Sequence, residues 1–320
     1  MRAKKPSPKV IYYEADIMMS KGVWKKMENK KVVLLIDFNN VLIGSYYGQK
    51  LVNSKGVNVN AIKGFFFRIK SLKDMFDPDY IVIANDISRE KTFRRKLYKP
   101  YKAQRKPLDE DIMIQMRYAQ QIAALLGYPF INNELYEADD IAGMAAMFAE
   151  ENGMDTIISS SDRDLYQLVT DHTFIMSPKN KDLVDKDWML DQYHLTPDQW
   201  IELKMLQGDR SDNIPGIPGI GEVTALKLMI QFGSIENIYN NLDKVNPKIK
   251  ELLVQNKDVL PLTRELVTII RDHTKIGLTA DMFNRQEIYT HEIFSLLAEL
   301  ELNSLFNVMS YSLIPDKGER

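Results

Sequence analysis

Three short apolar runs, each containing β-branched residues and each leading into aspartate, constrain what this chain can fold into. KVVLLID ends at Asp37, YIVIAND ends at Asp86, and DTIISSS is followed at once by Asp162 and Asp164. Apolar runs of this length, bounded by polar residues, predict buried strands. The sequence therefore predicts a sheet in which several strands end in carboxylates.

The stretches between and after these runs show the periodicity of helices. Apolar side chains recur three and four residues apart over 60–76, 109–126 and 137–153, a spacing typical of amphipathic helices. Strands that alternate with helices predict an α/β domain with a mostly parallel sheet, here over about residues 30–190. Beyond that range the pattern is helical. We therefore expect a mostly parallel sheet flanked by helices, followed by a helical C-terminal part.

Further carboxylates accompany the predicted strand ends. A helix beginning near Glu137 carries Asp139 and Asp140 in its first turn, and a later loop contains Asp209 and Asp212. Each acid has an ordinary explanation, because aspartate caps turns and acids favour helix N-termini. Their recurrence favours one shared crevice at the carboxyl ends of the strands, where parallel sheets bind ligands. Carboxylates so crowded would repel one another unless cations were bound, and oxygen-only ligands suit Mg²⁺ or Mn²⁺.

Composition narrows the possible chemistry. The 320-residue chain has no cysteine and 4 scattered histidines, which excludes disulfides and thiolate nucleophiles and argues against a histidine-based triad. No apolar run approaches the roughly 18 residues of a membrane span. The N-terminal residues contain no continuous apolar segment, so we expect no signal peptide and a cytoplasmic location.

A concentrated basic segment follows the second predicted strand. Residues 89–106 contain nine lysines and arginines and one acid, in a chain whose net charge is −2. Phe93, Tyr98 and Tyr101 are interleaved with these cations. Cations can meet phosphates while aromatic rings carry bases or sugars, so the segment predicts nucleic-acid binding. A solvated charged face is the alternative, but it would leave this charge beside an acidic crevice without a purpose.

The loop GDRSDNIPGIPGIGEVTA, residues 208–225, is the most specific stretch of the chain. Gly216, Gly219 and Gly221 permit tight turns and a close approach of the backbone to phosphate. The helix that follows presents its N-terminal amides to an anion. A plain turn between two helices would not need this glycine spacing.

Together these motifs resemble the 5′ nuclease (flap endonuclease) family, which includes the 5′–3′ exonuclease domain of bacterial DNA polymerase I and stand-alone phage 5′ nucleases of the ribonuclease H type. The resemblance rests on YEADD, SSDRD, KTFRR with YKAQR, and the glycine-rich loop, and it covers residues 31–275. It implies a PIN-like fold with a helical arch and a helix–hairpin–helix element. The expected units are an N-terminal extension (1–29), an α/β nuclease domain (30–190) with the arch over about 87–112, and a helical DNA-binding part (191–320) with the hairpin over about 197–232.

The resemblance also implies roles for individual residues. The metal ligands would be Asp37, Asp86, Glu137, Asp139, Asp140, Asp162, Asp164, Asp209 and Asp212. Lys102 and Arg105 would act on the scissile phosphate. Contacts to DNA would come from Lys91, Arg94, Arg95, Lys96, Tyr101, Gly216, Gly219 and Gly221. The implied cofactors are two Mg²⁺ ions, replaceable by Mn²⁺, and a K⁺ ion at the hairpin.

The implied activity is hydrolysis of phosphodiester bonds in branched or nicked DNA with a 5′ end, and removal of RNA primers, during replication or repair. About thirty residues precede the first strand and the chain ends without a polymerase domain, so we expect a stand-alone, phage-encoded enzyme in a bacterial host cell. We expect a monomer that has replication proteins such as single-strand-binding protein or a clamp as partners. Residues 276–320 match no motif.

Two other classes of function fit parts of the sequence. A small-substrate Mg²⁺-dependent phosphohydrolase of the haloacid-dehalogenase type would need a second aspartate two residues after Asp37, where this chain has Asn39. A non-catalytic nucleic-acid-binding protein would not need the full set of acids, because carboxylates repel phosphate unless metals are present. Mg²⁺-dependent cleavage of a 5′ flap would discriminate among these classes.

Overall fold

The structure, a computed structural model, describes residues 30–86, 90–177 and 183–313. The expected N-terminal extension (1–29) and residues 87–89 of the expected arch lie outside the described residues. Within them, one sheet contains the strands β1 (Val32–Asp37), β2 (Tyr80–Ala84), β3 (Phe130–Ile131), β4 (Asp155–Ser159), β5 (Thr173–Met176) and β6 (Leu183–Val184).

The sheet is mostly parallel, as expected. Its strand order is β3-β2-β1-β4-β5-β6, and only the last pair, β5 with β6, is antiparallel. In the central strand β1, Asp37 pairs in register with Ala84 of β2, and Ile36 pairs with Ser159 of β4. The carboxyl ends of β1, β2 and β4 therefore reach the same edge. β2 and β3 lie on one side of β1, whereas β4 and β5 lie on its other side, so the strand order reverses direction at β1. Parallel sheets bind ligands at the carboxyl edge beside such a reversal.

Helices cover both faces of the sheet and continue beyond it. They are α1 (Phe38–Tyr46), α2 (Asn60–Phe76), α3 (Phe93–Leu97), α4 (Glu110–Leu125), α5 (Ala138–Glu151), α6 (Lys186–Tyr193), α7 (Pro197–Gln207), α8 (Glu222–Phe232), α9 (Ile235–Asn240), α10 (Pro247–Gln255), α11 (Leu260–Val267), α12 (Thr290–Glu299) and α13 (Phe306–Ser312). Short 3₁₀ helices lie at Arg163–Leu168, Lys257–Val259, His273–Ile276, Ala280–Phe283 and Asn303–Leu305. None of the helices in the described ranges is long and apolar enough for a bilayer crossing.

Alternate residues of β1 face two separate layers of the core. Leu34 and Ile36 pack with α1, α2 and α4, whereas Val33 and Leu35 pack with α5 and the helices after β6. All four side chains are fully buried. A strand that is covered on both faces is apolar at every position, which explains the continuous apolar run of β1.

The C-terminal helices divide between two places. α7 packs against α8, α11 and the 3₁₀ helix that follows β4. By contrast, α12 and α13 return to the sheet, where Ile293, Leu297 and Met309 are buried in the same layer as α2 and α4. The structure thus differs from the expected single helical part over 191–320, because the apolar faces of α12 and α13 complete the core of the α/β layer. Residues 314–320 lie outside the described residues.

The segment expected to form a helical arch contains little helix. Among its described residues, Phe93–Leu97 form α3, and helix resumes only at Glu110, the start of α4. Pro100 and Pro107 interrupt the segment, and proline lacks the amide hydrogen that a continuing helix needs. In the described part of 87–112 the expected helical arch is therefore replaced by one short helix and a series of turns.

Candidate active site

Asp37 ties the end of β1 to the end of β4. Its Oδ1 accepts a hydrogen bond from the amide of Asn40 at 3.1 Å, which caps α1, and its Oδ2 accepts from the Ser160 hydroxyl at 2.8 Å. The Asn40 side chain in turn accepts from the amide and hydroxyl of Ser161, at 2.8 and 2.9 Å. These bonds fix the position of a carboxylate that is only 6% exposed.

Asp86 ties the end of β2 to α1 and α5. Asn39 donates its Nδ2 to Asp86 at 2.8 Å, and the amide of Ala138, at the start of α5, donates to the other carboxylate oxygen at 2.6 Å. The helix begins there because Glu137 and Asp140 form a reciprocal capping box. Its unpaired first amides carry positive partial charge, which favours the Asp86 carboxylate.

One group of carboxylates at this edge forms no ion pair with a described lysine or arginine. We call it the first acid set: Asp37, Asp86, Asp139 and Asp162. Burial raises the pKa of Asp37 to about 7, and the charges of Asp86 and Asp162 add to the rise. Burial also raises the pKa of Asp139 well above its ordinary value, with Asp162 and Asp37 contributing. Among the described residues no lysine or arginine nitrogen lies within 4.0 Å of these four carboxylates, although the nearby charge of Lys102, which is paired with Glu137, opposes the rise in the pKa of Asp139. The mutual repulsion of the four carboxylates favours binding of a cation.

A second group of acids is neutralised by the chain's own cations. We call it the second acid set: Asp164, Asp209 and Asp212. Lys204 Nζ lies 2.7 Å from Asp164 Oδ1 and 2.8 Å from Asp209 Oδ2. Asp212 pairs with Arg105, and Lys102 Nζ lies 3.6 Å from Asp212 Oδ2.

The pKa values in the second acid set reflect a balance between burial and these cations. For Asp209, burial acts to raise the pKa, but Lys204 and hydrogen bonds from Ser211 outweigh it and lower the pKa to about 2. For Asp164, burial prevails and raises the pKa to about 6, although Lys204 opposes the rise. Burial acts to lower the pKa of Lys204, yet the two carboxylates raise it above its ordinary value.

Glu137 is surrounded by hydrogen-bond donors. Lys102 Nζ lies 2.7 Å from its Oε1, and the Tyr101 hydroxyl donates to its Oε2 at 2.6 Å. Arg94 Nη1 lies 3.4 Å from the same Oε2. Lys102 therefore bridges Glu137 and Asp212, two of the predicted metal ligands.

Asp140 does not reach the crevice. It is fully buried, and its two oxygens accept hydrogen bonds from Arg94 at 2.5 and 2.8 Å. The amides of Glu137 and Ile270 also donate to it, at 3.1 and 3.0 Å. Both Asp140 oxygens are thus committed inside the protein, which argues against a metal bond at this residue, and its role as a ligand stays a prediction.

Two aromatic or basic residues that were predicted to contact DNA lie in the interior. Arg94 is 3% exposed and also donates to the carbonyl oxygens of Leu266 and Thr268, each at 2.8 Å. Tyr101 is 4% exposed, with its hydroxyl on Glu137. Neither side chain can meet a phosphate or a base without leaving these partners, which argues against the predicted DNA contacts of Arg94 and Tyr101.

The other cations of the basic segment lie nearer the surface. Lys96 is exposed, and the exposed Lys91 pairs with Glu134 at 2.8 Å. Arg95 is half-buried and donates to the carbonyl of Tyr101 at 2.9 Å. Lys91 and Lys96 are thus the most accessible of the cations predicted to bind DNA.

The basic segment also lies against the loop between α7 and α8. The amide of Lys102 donates to the carbonyl of Asp212 at 2.8 Å, and Lys102 has a positive φ of 52°. In the other direction, Asn213 Nδ2 donates to the carbonyl of Pro100 at 2.9 Å. These bonds bring Lys102 and Arg105 to the second acid set.

The three glycines that were predicted to bind DNA differ in what they require. A Cβ on Gly216 would lie 2.3 Å from the amide nitrogen of Gly208, so two backbone segments pack directly there. Gly219 is exposed and has φ +85°, a conformation that other residues rarely adopt. Gly221 caps α8, and nothing lies within 4 Å of a Cβ placed on it. Position 216 therefore needs glycine because two backbone segments pack there, and position 219 needs it because of its backbone conformation. Position 221 needs glycine for neither reason.

The sequence pattern did not single out Lys204, Asn39 or Ser160. Asn39 and Ser160 are neighbours of strand-ending aspartates, and asking what holds those carboxylates in place would point to them. Lys204 lies inside the apolar stretch of α7 between Leu203 and Met205, both of which are buried. A lysine between buried residues is a signal that it has an acidic partner.

The nine predicted ligands do not form one ligand cluster. Among the residues that the structure describes, no three acids or histidines stand in a geometry that would hold a metal ion by itself. The second acid set is paired with lysine and arginine, and Asp140 is buried. The first acid set, however, offers carboxylate oxygens that are buried or half-buried and that form no ion pair with a described lysine or arginine, which is the donor chemistry that Mg²⁺ or Mn²⁺ prefers. Its residues therefore fit a hard divalent ion.

Known families match both parts of the chain. Residues 32–194 match the 5′–3′ exonuclease N-terminal resolvase-like domain, and residues 195–291 match the 5′–3′ exonuclease C-terminal SAM fold. The thermostable DNA polymerase I of Thermus thermophilus is 36% identical over 282 residues, which cover 88% of this chain and 33% of that protein. The chain thus spans about a third of the length of the polymerase relatives it matches.

Solved structures share the fold. T5 5′-exonuclease with bound zinc matches with a TM-score of 0.63 at 21% identity, over 83% of this chain and 99% of that one. A T5 flap endonuclease in complex with DNA and metal ions matches with a TM-score of 0.62 at 21% identity, over 84% and 100%. The expected fold class, a mostly parallel sheet followed by a helical C-terminal domain, is confirmed. With family models matched over most of its length, this chain belongs to the 5′–3′ exonuclease family.

Proposed function

We propose that this protein is a metal-dependent, structure-specific 5′ nuclease, which acts as a 5′–3′ exonuclease and as a flap endonuclease. The observation that carries the proposal is the convergence of Asp37, Asp86 and Asp162 from the ends of three neighbouring strands, next to the start of α5. Membership of the 5′–3′ exonuclease family supports the same activity. The reaction is hydrolysis of a phosphodiester bond.

The first acid set would hold one divalent ion, Mg²⁺ by preference, and the second acid set together with Glu137 would supply the ligands of a second ion beside it. Ions bound there would activate the attacking water and stabilise the leaving 3′ oxygen. Asn39 and Ser160 hold two of the carboxylates in place before substrate arrives. Such preorganisation lowers the cost of reaching the reactive geometry.

Lys102 and Arg105 would stabilise the negative charge that develops on the reacting phosphate. In the structure they are paired with Glu137 and Asp212. A phosphate that enters the crevice would compete with these carboxylates for the same cations. The two side chains would then act on the substrate from the rim of the first acid set.

The substrates would be flaps, 5′ overhangs, nicked duplexes and RNA primers on DNA. Exposed Lys91 and Lys96, and the hairpin around Gly219 with a K⁺ ion, would contact the phosphate backbone. Backbone contacts carry no base code, so specificity would follow the shape of the substrate. We further propose that the enzyme acts as a monomer in the cytoplasm, alongside replication proteins such as single-strand-binding protein or a clamp.

Cleavage of a labelled 5′ flap tests the proposal. The purified protein should cut the flap near its junction in Mg²⁺ and not in EDTA. The matched control is the same duplex with a 3′ flap and sealed 5′ ends, which should remain uncut. Equal cleavage of both substrates would contradict structure-specific recognition of a 5′ end.

The same assay separates the two alternative functions. A small-substrate phosphohydrolase would hydrolyse p-nitrophenyl phosphate and leave the flap intact. A non-catalytic binding protein would retain the flap without cutting it. The position of Asn39 argues against the phosphohydrolase, because its side chain donates to Asp86 at 2.8 Å and cannot serve as a carboxylate.

A further inference from the structure

Lys204 is a buried cation at the centre of the second acid set. The residue is 7% exposed, and its Nζ lies within 2.8 Å of one oxygen of Asp164 and one oxygen of Asp209. The residue lies in the last turn of α7, whereas Asp164 follows β4. A single ammonium group therefore joins the helical part of the protein to the end of the sheet.

The second acid set has little free capacity to bind another cation. Asp209 Oδ2 is on Lys204, and Asp209 Oδ1 accepts from the amide and the hydroxyl of Ser211, each at 2.7 Å. Asp212 is paired with Arg105 and lies near Lys102. The first acid set differs in this respect, since among the described residues no lysine or arginine nitrogen lies within 4.0 Å of its carboxylates, and Lys102, whose charge acts on Asp139, is paired with Glu137 instead.

A divalent ion at the second acid set would need the oxygen atoms that Lys204 holds. Mg²⁺ and similar ions bind carboxylate oxygens at about 2.0–2.6 Å, which leaves no room for an ammonium group between the same two carboxylates. Lysine presents a compact point charge on a flexible stem, so it can fill such a position and can also swing away from it. An ion that binds these two oxygen atoms therefore excludes the Lys204 bridge.

We propose that Lys204 is a resident cation of the second acid set, so that the DNA-free enzyme binds a divalent ion readily at the first acid set and only weakly at the second. The second ion would enter when Lys204 moves aside. This inference rests on the proposed function, because it concerns the same metal-dependent site. Lys204 would thus determine how many divalent ions the DNA-free enzyme binds.

Mn²⁺ binding to the DNA-free protein tests the proposal, with free Mn²⁺ measured by electron paramagnetic resonance. We expect the wild type to bind one ion and to bind a second at least ten-fold more weakly. Lys204→Met should tighten the second site about ten-fold, which corresponds to about 1.4 kcal/mol. Lys204→Arg, which keeps the charge, should retain the wild-type isotherm. Lys227→Met, at an exposed lysine on α8, is the matched control and should also bind like the wild type.

Thermal unfolding supplies a second measurement. Lys204→Met leaves two carboxylates unpaired, so without ions it should unfold at a lower temperature than the wild type. Mn²⁺ should then raise its unfolding temperature more than it raises that of the wild type, because the ion replaces the missing ammonium. If Lys204→Met does not fold without ions, Lys204→Gln is measured in the same way.

The proposal is overturned if the Mn²⁺ isotherms of Lys204→Met and the wild type coincide, or if the variant binds fewer ions than the wild type. Equal gains of unfolding temperature in Mn²⁺ would also overturn it. Neither measurement uses DNA cleavage. A protein with the expected isotherms that fails to cut a 5′ flap would refute the proposed function and leave the role of Lys204 in ion binding intact.

Discussion

The guanidinium group of Arg94 meets the buried carboxylate of Asp140 through two hydrogen bonds, at 2.5 and 2.8 Å. This pair joins α3 to the first turn of α5, and Arg94 extends the link to the carbonyl oxygens of Leu266 and Thr268. Two residues whose sequence context suggested DNA binding and metal binding thus satisfy each other in the interior. The pair also helps to hold Glu137 in place, because the Glu137 amide donates to Asp140.

Replacing Arg94 with Ala should therefore reduce stability before it affects DNA binding. The change leaves a buried carboxylate unpaired, which costs about 3–5 kcal/mol, and urea unfolding measures the loss. Lys96→Ala is the matched control, because Lys96 lies in the same segment but is exposed. It should leave stability nearly unchanged and reduce the slope of log binding constant against log salt by ~0.9 on duplex DNA. If Arg94→Ala instead has wild-type stability and binds DNA more weakly, Arg94 contacts DNA and the interior role is refuted.

Asp139→Asn and Asp162→Asn should remove most cleavage of a 5′ flap while DNA binding remains measurable. These carboxylates belong to the first acid set, whereas DNA would be held by the basic segment and the hairpin. Rates at saturating Mg²⁺ and binding in EDTA are the two measurements. Asp243→Asn, at an exposed acid far along the chain, serves as control and should cleave normally. Near wild-type rates for either site variant would remove that residue from the proposed ligands.

The stability of the ion-free protein should fall as pH rises through about 7. The pKa of Asp37 is raised from 3.8 to about 7 in the folded protein, so the folded state holds this proton more tightly than the unfolded state does. The resulting stabilisation is complete below about pH 4 and is lost as the carboxyl ionises. Thermal unfolding in EDTA between pH 5 and pH 8 measures the effect. Asp37→Asn cannot ionise at this position, so its unfolding temperature should fall less over the same pH range. If its unfolding temperature falls as much as that of the wild type, groups other than Asp37 cause the effect.

Lys102→Ala should slow the chemical step rather than substrate binding. A preorganised charge on the reacting phosphate is worth most in the transition state, so we expect a loss of ~10²–10³-fold in the single-turnover rate at saturating enzyme. Single-turnover rates are the appropriate measurement because the ammonium group rests on Glu137 at 2.7 Å before DNA arrives. A variant that binds poorly but cuts at the wild-type rate once saturated would make Lys102 a positioning contact.

Substitutions in the hairpin should separate packing from DNA contact. Gly219→Val should weaken binding to duplex-containing substrates more than binding to short single strands, because the added side chain would stand between the backbone amides of the hairpin and a duplex phosphate. The Cβ would also lie 3.0 Å from Leu252 Cδ1 on a residue with φ +85°, so unfolding of this variant is measured alongside its DNA binding. Gly216→Ala should instead destabilise the fold, since its Cβ would lie 2.3 Å from the Gly208 amide nitrogen. Gly221→Ala is the control for added volume: nothing lies within 4 Å of its Cβ, so it should lose only the roughly 1 kcal/mol or less that alanine costs at a helix N-cap. Circular dichroism and binding to both classes of DNA distinguish the three outcomes.

Local sequence was sufficient to predict where these helices and strands lie and which of their side chains are apolar. The spacing of apolar residues predicts α2, α4 and α5 to within two residues of their observed ends, because an amphipathic helix must turn one face to the core. The runs that end at Asp37 and Asp86 are apolar throughout because both faces of the parallel sheet are covered. The same periodicity cannot reveal that α12 and α13 return to the sheet, since an apolar helix face does not specify which layer it will cover.

The order of residues along the chain was enough to predict which strand ends carry aspartate, and that a basic segment and a glycine-rich hairpin accompany them. Which of these charged groups remain available for an ion or for DNA depends on the packing of the folded chain. Arg94 and Asp140 lie 46 residues apart, and Lys204 lies on a different element from Asp164, so their pairing depends on how distant segments pack. A buried charge must find a partner or lose its ionisation, and that partner is chosen by the fold. For this reason the acidic motifs were visible in the chain, whereas their division into a free first set and a neutralised second set was not.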